Sequence, residues 1–583
     1  MARSVSLGSS IALVLFCQVA CNKQDPYFGS VTPPSGQTLV FDNFSEPSSL
    51  DPAIGYNTNE NNITAAMFEG LVQNDPLTTR PMAALATHYE MSPNGTQFFF
   101  YLRGHPHPGG IRLPNSDSLP FEYSNGVRAP PDSVPARWSD GTTITAHDFV
   151  YAWQRAADPR TAAPAAGYLS VLRNAPDILK GKREPKDLGA AALDDFTVRI
   201  DLGEPVPYLL TLLVTPVFKA VPRHVIDKAR REGREANWTQ PARIVTSGPF
   251  VLTEWRPYDY VSVRRSPTYY QADLVRLDGI SFLPISADAA VVNLYRTGAT
   301  QAMDTATLPE ALTPTLLAKR DFRSNSILGS SAYAFNVHRP PFDNVLVRYA
   351  LNMSVDKAAI ARYLNQLPAQ NFVPPIAGYA GPRTLNVTIR GRTYDVLQYN
   401  PVAARELLAF AGFPNGIGAG GRSLAFDLHV WNDATNLNVA QILSRQWQNN
   451  LRIFARLLPY EFNVAIAEMR AGNFSGLGTA YGVADFADPM GLLTPAVVTD
   501  FFGGWTDAEY VSMLDEANQT LDFAGRFEKL ARAEARLLHE MPIIPLTFPQ
   551  AHHLRKPYVH ALDPDPLDAH YFRYAWIDTR WKP

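Results

Sequence analysis

The sequence predicts an α/β protein of two or three domains, and three observations carry that reading. A chain of 583 residues exceeds what one hydrophobic core holds. Between residues 424 and 458, strand-like alternation at Leu424, Phe426, Leu428 and Val430 is followed by a helical stretch (438–449) and a strand-like one (453–458), a βαβ-like spacing. After the N-terminal run, no stretch approaches 18 consecutive apolar residues, so no later segment reads as a membrane span. The 46% hydrophobic and 11% aromatic content is that of an ordinary globular protein. Lys plus Arg number 52 against 55 acidic residues, a balance that gives no electrostatic footing for nucleic acid or an anionic membrane surface, and nucleic-acid binding is set aside. The 48 prolines point to many ordered loops instead of long helical bundles.

In chain order, Arg3 followed by the short apolar run 11–16 reads as a secretory signal over 1–21, too short to span a membrane stably. Both cysteines, Cys17 and Cys21, lie there, so the mature fold holds no disulfide unless Cys17 survives processing. Val19-Ala20-Cys21 is similar to the end of a lipoprotein cleavage box, although Gln18 departs from it; a lipid-anchored Cys21 is expected, with plain secretion as the alternative. Residues 22–37, polar and rich in Pro and Gly, read as a tether. A strand begins at 38–41, SEPSSLDP (45–52) is a loop, 62–71 is a helix with Ile63, Ala66, Met67 and Leu71 inward, and 97–103 is an aromatic strand. Residues 104–137 lose all periodicity and read as a proline-rich surface excursion.

The stretch 138–160, WSDGTTITAHDFVYAWQRAADPR, opens with turn chemistry at Ser139-Asp140-Gly141-Thr142. Thr145 and Asp148 then have the form of a capping box, ahead of Phe149, Val150, Trp153 and Ala157 at helical spacing. Further on, 196–202 alternates as a strand, and 250–265 makes a hairpin about Arg256-Pro257-Tyr258-Asp259 with Val261 and Val263 on one face. Residues 345–361 are helical with a break near 352–354. Asn400 caps a helix that starts at Pro401 and ends at Gly412. A late amphipathic helix (526–540) precedes the apolar run 543–548.

These segments carry a resemblance. WSDG and its helix, with SEPSSLDP (45–52), MFEGLV (67–72), EPVPYLLTLL (204–213), WTQPARIVTSGPF (238–250), RSPTYY (265–270), PPFDNVLVRYALNMSVDK (340–357) and NPVAARELLAFAGF (400–413), resemble in order the family 5 extracellular solute-binding proteins, the oligopeptide receptors of bacterial ABC importers. The resemblance implies a periplasmic-binding-protein-like α/β fold of two hinged mixed lobes with an additional inserted domain. By matching segments, lobe I takes 22–58, 223–328 and 553–583, the inserted domain 59–222 (with an insertion at 104–137), and the second lobe 329–552, two crossing strands acting as hinge.

The same resemblance implies site residues. Asp485, in ADFADP (484–489), stands where the family has an aspartate that pairs with a peptide's α-ammonium group. A free N-terminus, with an ordinary pKa of about 7.7–8.0, is largely cationic near neutrality and must not be buried unpaired; read without the resemblance, Asp485 is a loop aspartate in a turn. Arg470 matches a cleft arginine and equally fits a solvated helix end, and Glu46 matches a cleft glutamate or a turn residue. Where typical members read Trp-Cys-Ala-Asp, this chain has Gly482-Val483-Ala484-Asp485, and the partner cysteine is replaced by Gly329, so both halves of the family's disulfide are missing. Tyr481 stands beside the lost aromatic as a partial offset, and Thr479 replaces an arginine, which points to an altered peptide range.

Enzyme and metal readings are weaker. His105-Pro106-His107 and His552-His553 lack the i, i+4 spacing and third ligand of a zinc site. GIGAGG (416–421) has the reverse of phosphate-loop order, and Asp485 with Asp488 has no nucleophile motif beside it. The expectation is a monomeric, cofactor-free, non-enzymatic receptor, periplasmic or at the cell surface and membrane-bound only through its N-terminal lipid. It captures short peptides and hands them to an ABC permease with its ATPase subunits. The alternatives are another family 5 solute (nickel chelate, haem, glutathione or murein peptide) and a secreted peptide hydrolase.

Overall fold

A computed structural model describes residues 26–583 except 107, 306–307, 310–311 and 502; the signal segment, Cys17, Cys21 and His107 lie outside the described residues. Three sheets organise the chain. The first has the order Ala302–Met303, Thr38–Asp42, Gly279–Leu283, Tyr260–Arg265, Phe250–Arg256. Thr38–Asp42 runs parallel to both neighbours, while the 250–265 hairpin is antiparallel and buries Val261 and Val263 on one face, as its alternation predicts. The second sheet is antiparallel, in the order Ile111–Arg112, Ala86–Met91, Gln97–Leu102, Thr197–Asp201, Ala190–Asp194. The third has six strands, Leu367–Pro368, Ile543–Phe548, Gly329–Phe335, Leu477–Val483, Ala425–Trp431 and Phe454–Tyr460, with Leu407, Leu443 and Trp447 of flanking helices packed in its core. The chain enters this third unit after Phe322–Ser326 and leaves it into Gln550–Leu554, and these two crossings pair antiparallel with each other.

The 138–160 stretch folds as its residues dictate. Gly141 has φ of +89°, and Asp140 accepts from the Thr142 amide and hydroxyl. Helix Ala146–Ala157 starts with a Thr145/Asp148 capping box, buries Phe149, Trp153 and Ala157, and leaves Val150 half-buried. Arg155 donates to both oxygens of Asp51 (3.1 and 2.6 Å), and Asp51 also accepts from Trp238 Nε1 at 3.0 Å. One buried aspartate thereby joins three of the sequence segments. Gly248 of SGPF donates to Met67 O at 2.8 Å, and a Cβ there would sit 2.6 Å from the Met67 carbonyl carbon, which leaves room only for glycine.

Several boundaries differ from the sequence expectation. The helix expected over 62–71 is Thr58–Met67, because Glu60 reaches back to accept from the Asn57 and Tyr56 amides, and Phe68 turns extended; Leu71 is buried but outside the helix. Its polar Asn59, Glu60 and Asn62 are buried, which hides the first turn from an apolar pattern. Helices Ala434–Leu451 and Phe523–Glu540 begin earlier than expected, at caps Asp433 and Asp522. Residues 104–137 are not a plain surface excursion. They add the edge strand Ile111–Arg112, bury Leu119 against Met82, Leu274, Ala561 and Tyr574, and accept from Gln271 through Ser116 at 2.9 Å.

Helix Phe523–Glu540 is fastened to the loop after Leu477–Val483 by Arg526, which donates to both oxygens of Asp488 (2.7 and 2.8 Å) with both side chains buried. Arg526→Met should cost about 3–5 kcal/mol, because it leaves Asp488 buried and uncompensated, while Asp488→Leu with Arg526→Met should recover most of that. Urea midpoints measure both; a single-variant loss below about 1 kcal/mol would mean the pair is hydrated.

Candidate functional site

A cavity of about 740 Å³ opens where the three sheet units meet, lined from the first segment, the 165–219 region, the strand end at 481–485 and the C-terminal loop 567–573. None of the described residues within 104–137 lines it. Asp485 follows the Leu477–Val483 strand and points its carboxylate into this space, where it accepts a hydrogen bond from the Tyr168 hydroxyl and faces Tyr56. The side chain is open to the cavity, yet the surrounding walls strip water from it. Burial pushes the carboxyl above its ordinary 3.8, and the Tyr168 and Tyr56 hydroxyls pull it back. Burial and the facing Asp485 charge raise both tyrosine hydroxyls. Asp488, three residues on, is turned away and held by Arg526, so the two aspartates are not an acid/base pair.

The other expected site residues fall differently. Glu46 lines the cavity, but one oxygen accepts from Trp255 Nε1 (2.9 Å) and the other from the Tyr258 amide (2.9 Å), so it pins the 250–265 hairpin. Tyr481 lines the cavity, half-buried and edge-on to Trp431, its hydroxyl pushed up to about 12 by burial and Asp568. Arg470 is the exposed last residue of helix Phe462–Arg470, outside the cavity lining. Cys21 lies outside the described residues.

The departures at 329 and 479–483 have a structural counterpart. Gly329 is paired in register with Val483, and a Cβ on Gly329 would lie 3.3 Å from Val483 Cγ2, so the two positions the alignment matches to cysteines are direct neighbours. A Cβ on Gly482 would meet only Leu492 Cδ2, at 3.4 Å, consistent with space left by a missing aromatic. Thr479 is buried opposite Tyr333, away from the cavity lining.

Tyr56, Tyr168, Glu69, Lys219, Asp304, Asp568 and Arg573 line the cavity without having been singled out in the sequence. Glu69 accepts from Arg573 and from Tyr269 (2.6 Å), and burial pulls the neighbouring Lys219 down to about 7 although Glu69 opposes this. They come from segments spread along the chain, and only Glu69, within MFEGLV, falls in one of the matched segments. His553 is buried with Nε2 3.3 Å from Asp563, and His552 stacks on Phe322; among the described residues no three His, Cys, Asp or Glu side chains converge as a metal site requires. Chemically, the cavity offers a fixed, partly desolvated carboxylate between two hydroxyls to a compact cation.

The family described as bacterial extracellular solute-binding proteins, family 5 Middle, matches residues 135–502. The periplasmic oligopeptide-binding protein OppA of Salmonella typhimurium is 31% identical over 556 residues, 93% of this chain and 92% of that protein. The probable deoxycholate-binding periplasmic protein YgiS of Escherichia coli is 30% identical over 532 residues, 90% of each. The solved murein tripeptide-binding protein MppA of Escherichia coli superposes with a TM-score of 0.69 at 25% identity, covering 94% of this chain and 99% of that one. The fold is therefore the two-lobed α/β arrangement of periplasmic binding proteins.

Removing the Tyr168 hydroxyl takes away a bond to the ionised form of Asp485, so Tyr168→Phe should move the Asp485 pKa further up. Isotope-edited infrared titration of the carboxyl band measures this; an unchanged or lowered midpoint would show that the hydroxyl does not support the carboxylate.

Proposed function

The chain belongs to family 5 of the bacterial extracellular solute-binding proteins, and on that premise we propose that it is an extracytoplasmic receptor that encloses a short peptide between two lobes and delivers it to an ABC permease. The observation that carries this reading is Asp485, a carboxylate held by tyrosines at the junction of three sheet units and facing an open cavity. A peptide's α-ammonium group fits there: it replaces lost hydration on both partners and donates in more than one direction. Main-chain bonds to the cavity wall would supply affinity irrespective of side chains. In this reading lobe I is 22–58, 223–328 and 553–583, the inserted domain 59–222 and the second lobe 329–552, and the paired crossings Phe322–Ser326 and Gln550–Leu554 are the hinge. Cys21 carries the lipid, and the protein binds its ligand without hydrolysing it.

The deoxycholate-binding relative motivates a second reading, an amphipathic anion. Charge disfavours it: Glu46, Glu60, Glu69, Asp304, Asp485 and Asp568 line the cavity against Lys219 and Arg573 as its only lysine and arginine among the described residues. Di- to pentapeptides should raise the melting temperature by mass action on the folded state, and deoxycholate should not. The opposite pattern would replace peptide by the steroid.

Asp485→Asn should weaken peptide binding by roughly 2–5 kcal/mol in calorimetry, because it leaves the ammonium group enclosed beside a neutral partner. The raised carboxyl pKa also sets a sign: amine binding needs the ionised form, so affinity should fall on acidification from a higher pH than an ordinary aspartate at 3.8 would give, and this dependence should vanish in Asp485→Asn. Unchanged affinity in the variant would remove Asp485 from the site.

A further inference from the structure

A second group of carboxylates in the same cavity lining is carried by the first sheet and the C-terminal loop. Thr38–Asp42 and Ala302–Met303 run parallel, so the chain leaves both strands at the same end: Asp42 stands opposite Met303, and the Asp304 amide donates to the Asp42 carbonyl at 2.8 Å. Asp304 is oriented by Asn62, whose Nδ2 donates to Oδ2 at 2.7 Å. Asp568, in the C-terminal loop, accepts from the Thr305 hydroxyl at 2.6 Å. Both Asp304 and Asp568 line the cavity, and Asp42 is fully buried behind them.

An acidic cluster alone says little, but this one is accompanied by unpartnered acceptors. Asn74, 2% exposed and lining the cavity, uses its amide nitrogen on Asp565 of the loop that carries Asp568, while its Oδ1 has no hydrogen-bond donor. Gln73 Oε1 and Asp568 Oδ1 are likewise buried without a donor in the same lining. Buried acceptors left in this state are costly, and a guest that brings donors to this part of the lining would satisfy them. Of the cavity's own cations, Arg573 donates to Glu69 through Nη2 and keeps Nη1 without a partner, and Lys219 feels the same carboxylate. Burial and the Asp304 charge both act on Asp568 to disfavour its ionised form, and a cation placed between the two carboxylates would relieve that. Among the described residues no three His, Cys, Asp or Glu side chains converge as a transition-metal site requires, and in a cavity read as peptide-binding the cation argued for is organic.

We propose that Asp304 and Asp568, backed by Asn74, form a second cation subsite that receives the lysine or arginine side chain of a bound peptide, so that this receptor selects basic peptides. The inference rests on the peptide-binding reading above. It differs from that reading in the residues used: Asp485 holds the chain terminus common to all peptides, whereas Asp304 and Asp568 discriminate among side chains.

The test is calorimetry of the full mature chain with tri- and tetrapeptides in which each position in turn carries lysine or its neutral near-isostere norleucine. At one position lysine should bind roughly tenfold or more tightly than norleucine, as expected for a buried charge pair. Asp568→Asn and, separately, Asp304→Asn should bring that ratio close to one while affinity for the norleucine peptide persists, which also reports that each variant is folded. Equal affinity for lysine and norleucine peptides at every position, or a lysine preference that survives both substitutions, would overturn the subsite and leave the peptide reading standing. Binding of no peptide at all would overturn both. Cadaverine binding as tightly as the lysine peptide would assign the corner to a free diamine instead of a side chain.

Discussion

The cavity depends on the contact among Arg155, Asp51 and Trp238. Asp51 and Arg155 are nearly enclosed, so each has given up water, and only their two-pronged bond with the indole N–H added repays that loss. The contact fixes the end of the SEPSSLDP loop against the Ala146–Ala157 helix. From there the loop runs on to Glu60, whose carboxylate accepts from the Ser48, Tyr56 and Asn57 amides. Tyr56 is thereby delivered to the face of Asp485 by a chain of buried polar contacts, not by a regular element. A wall made of loop needs this over-determination, because no ladder or helix holds it.

The same economy separates two aspartates three residues apart. Asp488 is satisfied by Arg526 inside the packed body, whereas Asp485 accepts from the Tyr168 hydroxyl and faces Tyr56 at the cavity. Glu46 lies between these cases. It reaches the cavity, but both of its oxygens are already engaged by Trp255 and Tyr258, so its contribution is to hold the hairpin that borders the cavity.

The strands and capped helices were largely legible in the sequence, because alternation, a capping box and a turn glycine are local: the Thr145 cap, the 250–265 hairpin and the Asn400-Pro401 start appear where the residues place them. Helix starts were misplaced where the first turn buries polar residues, as at Thr58–Met67, or where a lone aspartate caps, as at Asp433. The site was legible only in part. Asp485 and Tyr481 were reachable through the family resemblance, but Tyr56, Tyr168, Asp304 and Asp568 line one cavity from widely separated segments of the chain, and no spacing rule encodes that. Arg470 shows the converse, an aligned residue whose helix end faces outward. The 104–137 insertion was misread because its few apolar anchors, Leu113 and Leu119, are too sparse for any period.

The direct opposition of Gly329 and Val483 has a practical corollary. The family resemblance implies a cysteine pair at these places that would staple the strand leading to the cavity, whereas this chain has the backbone ladder there, and both of its thiols precede residue 22. Its folded body is therefore indifferent to the thiol chemistry of its surroundings: it needs no oxidant to mature, forms no scrambled bridges, and should attain the same shape in a reducing compartment as in an oxidising one.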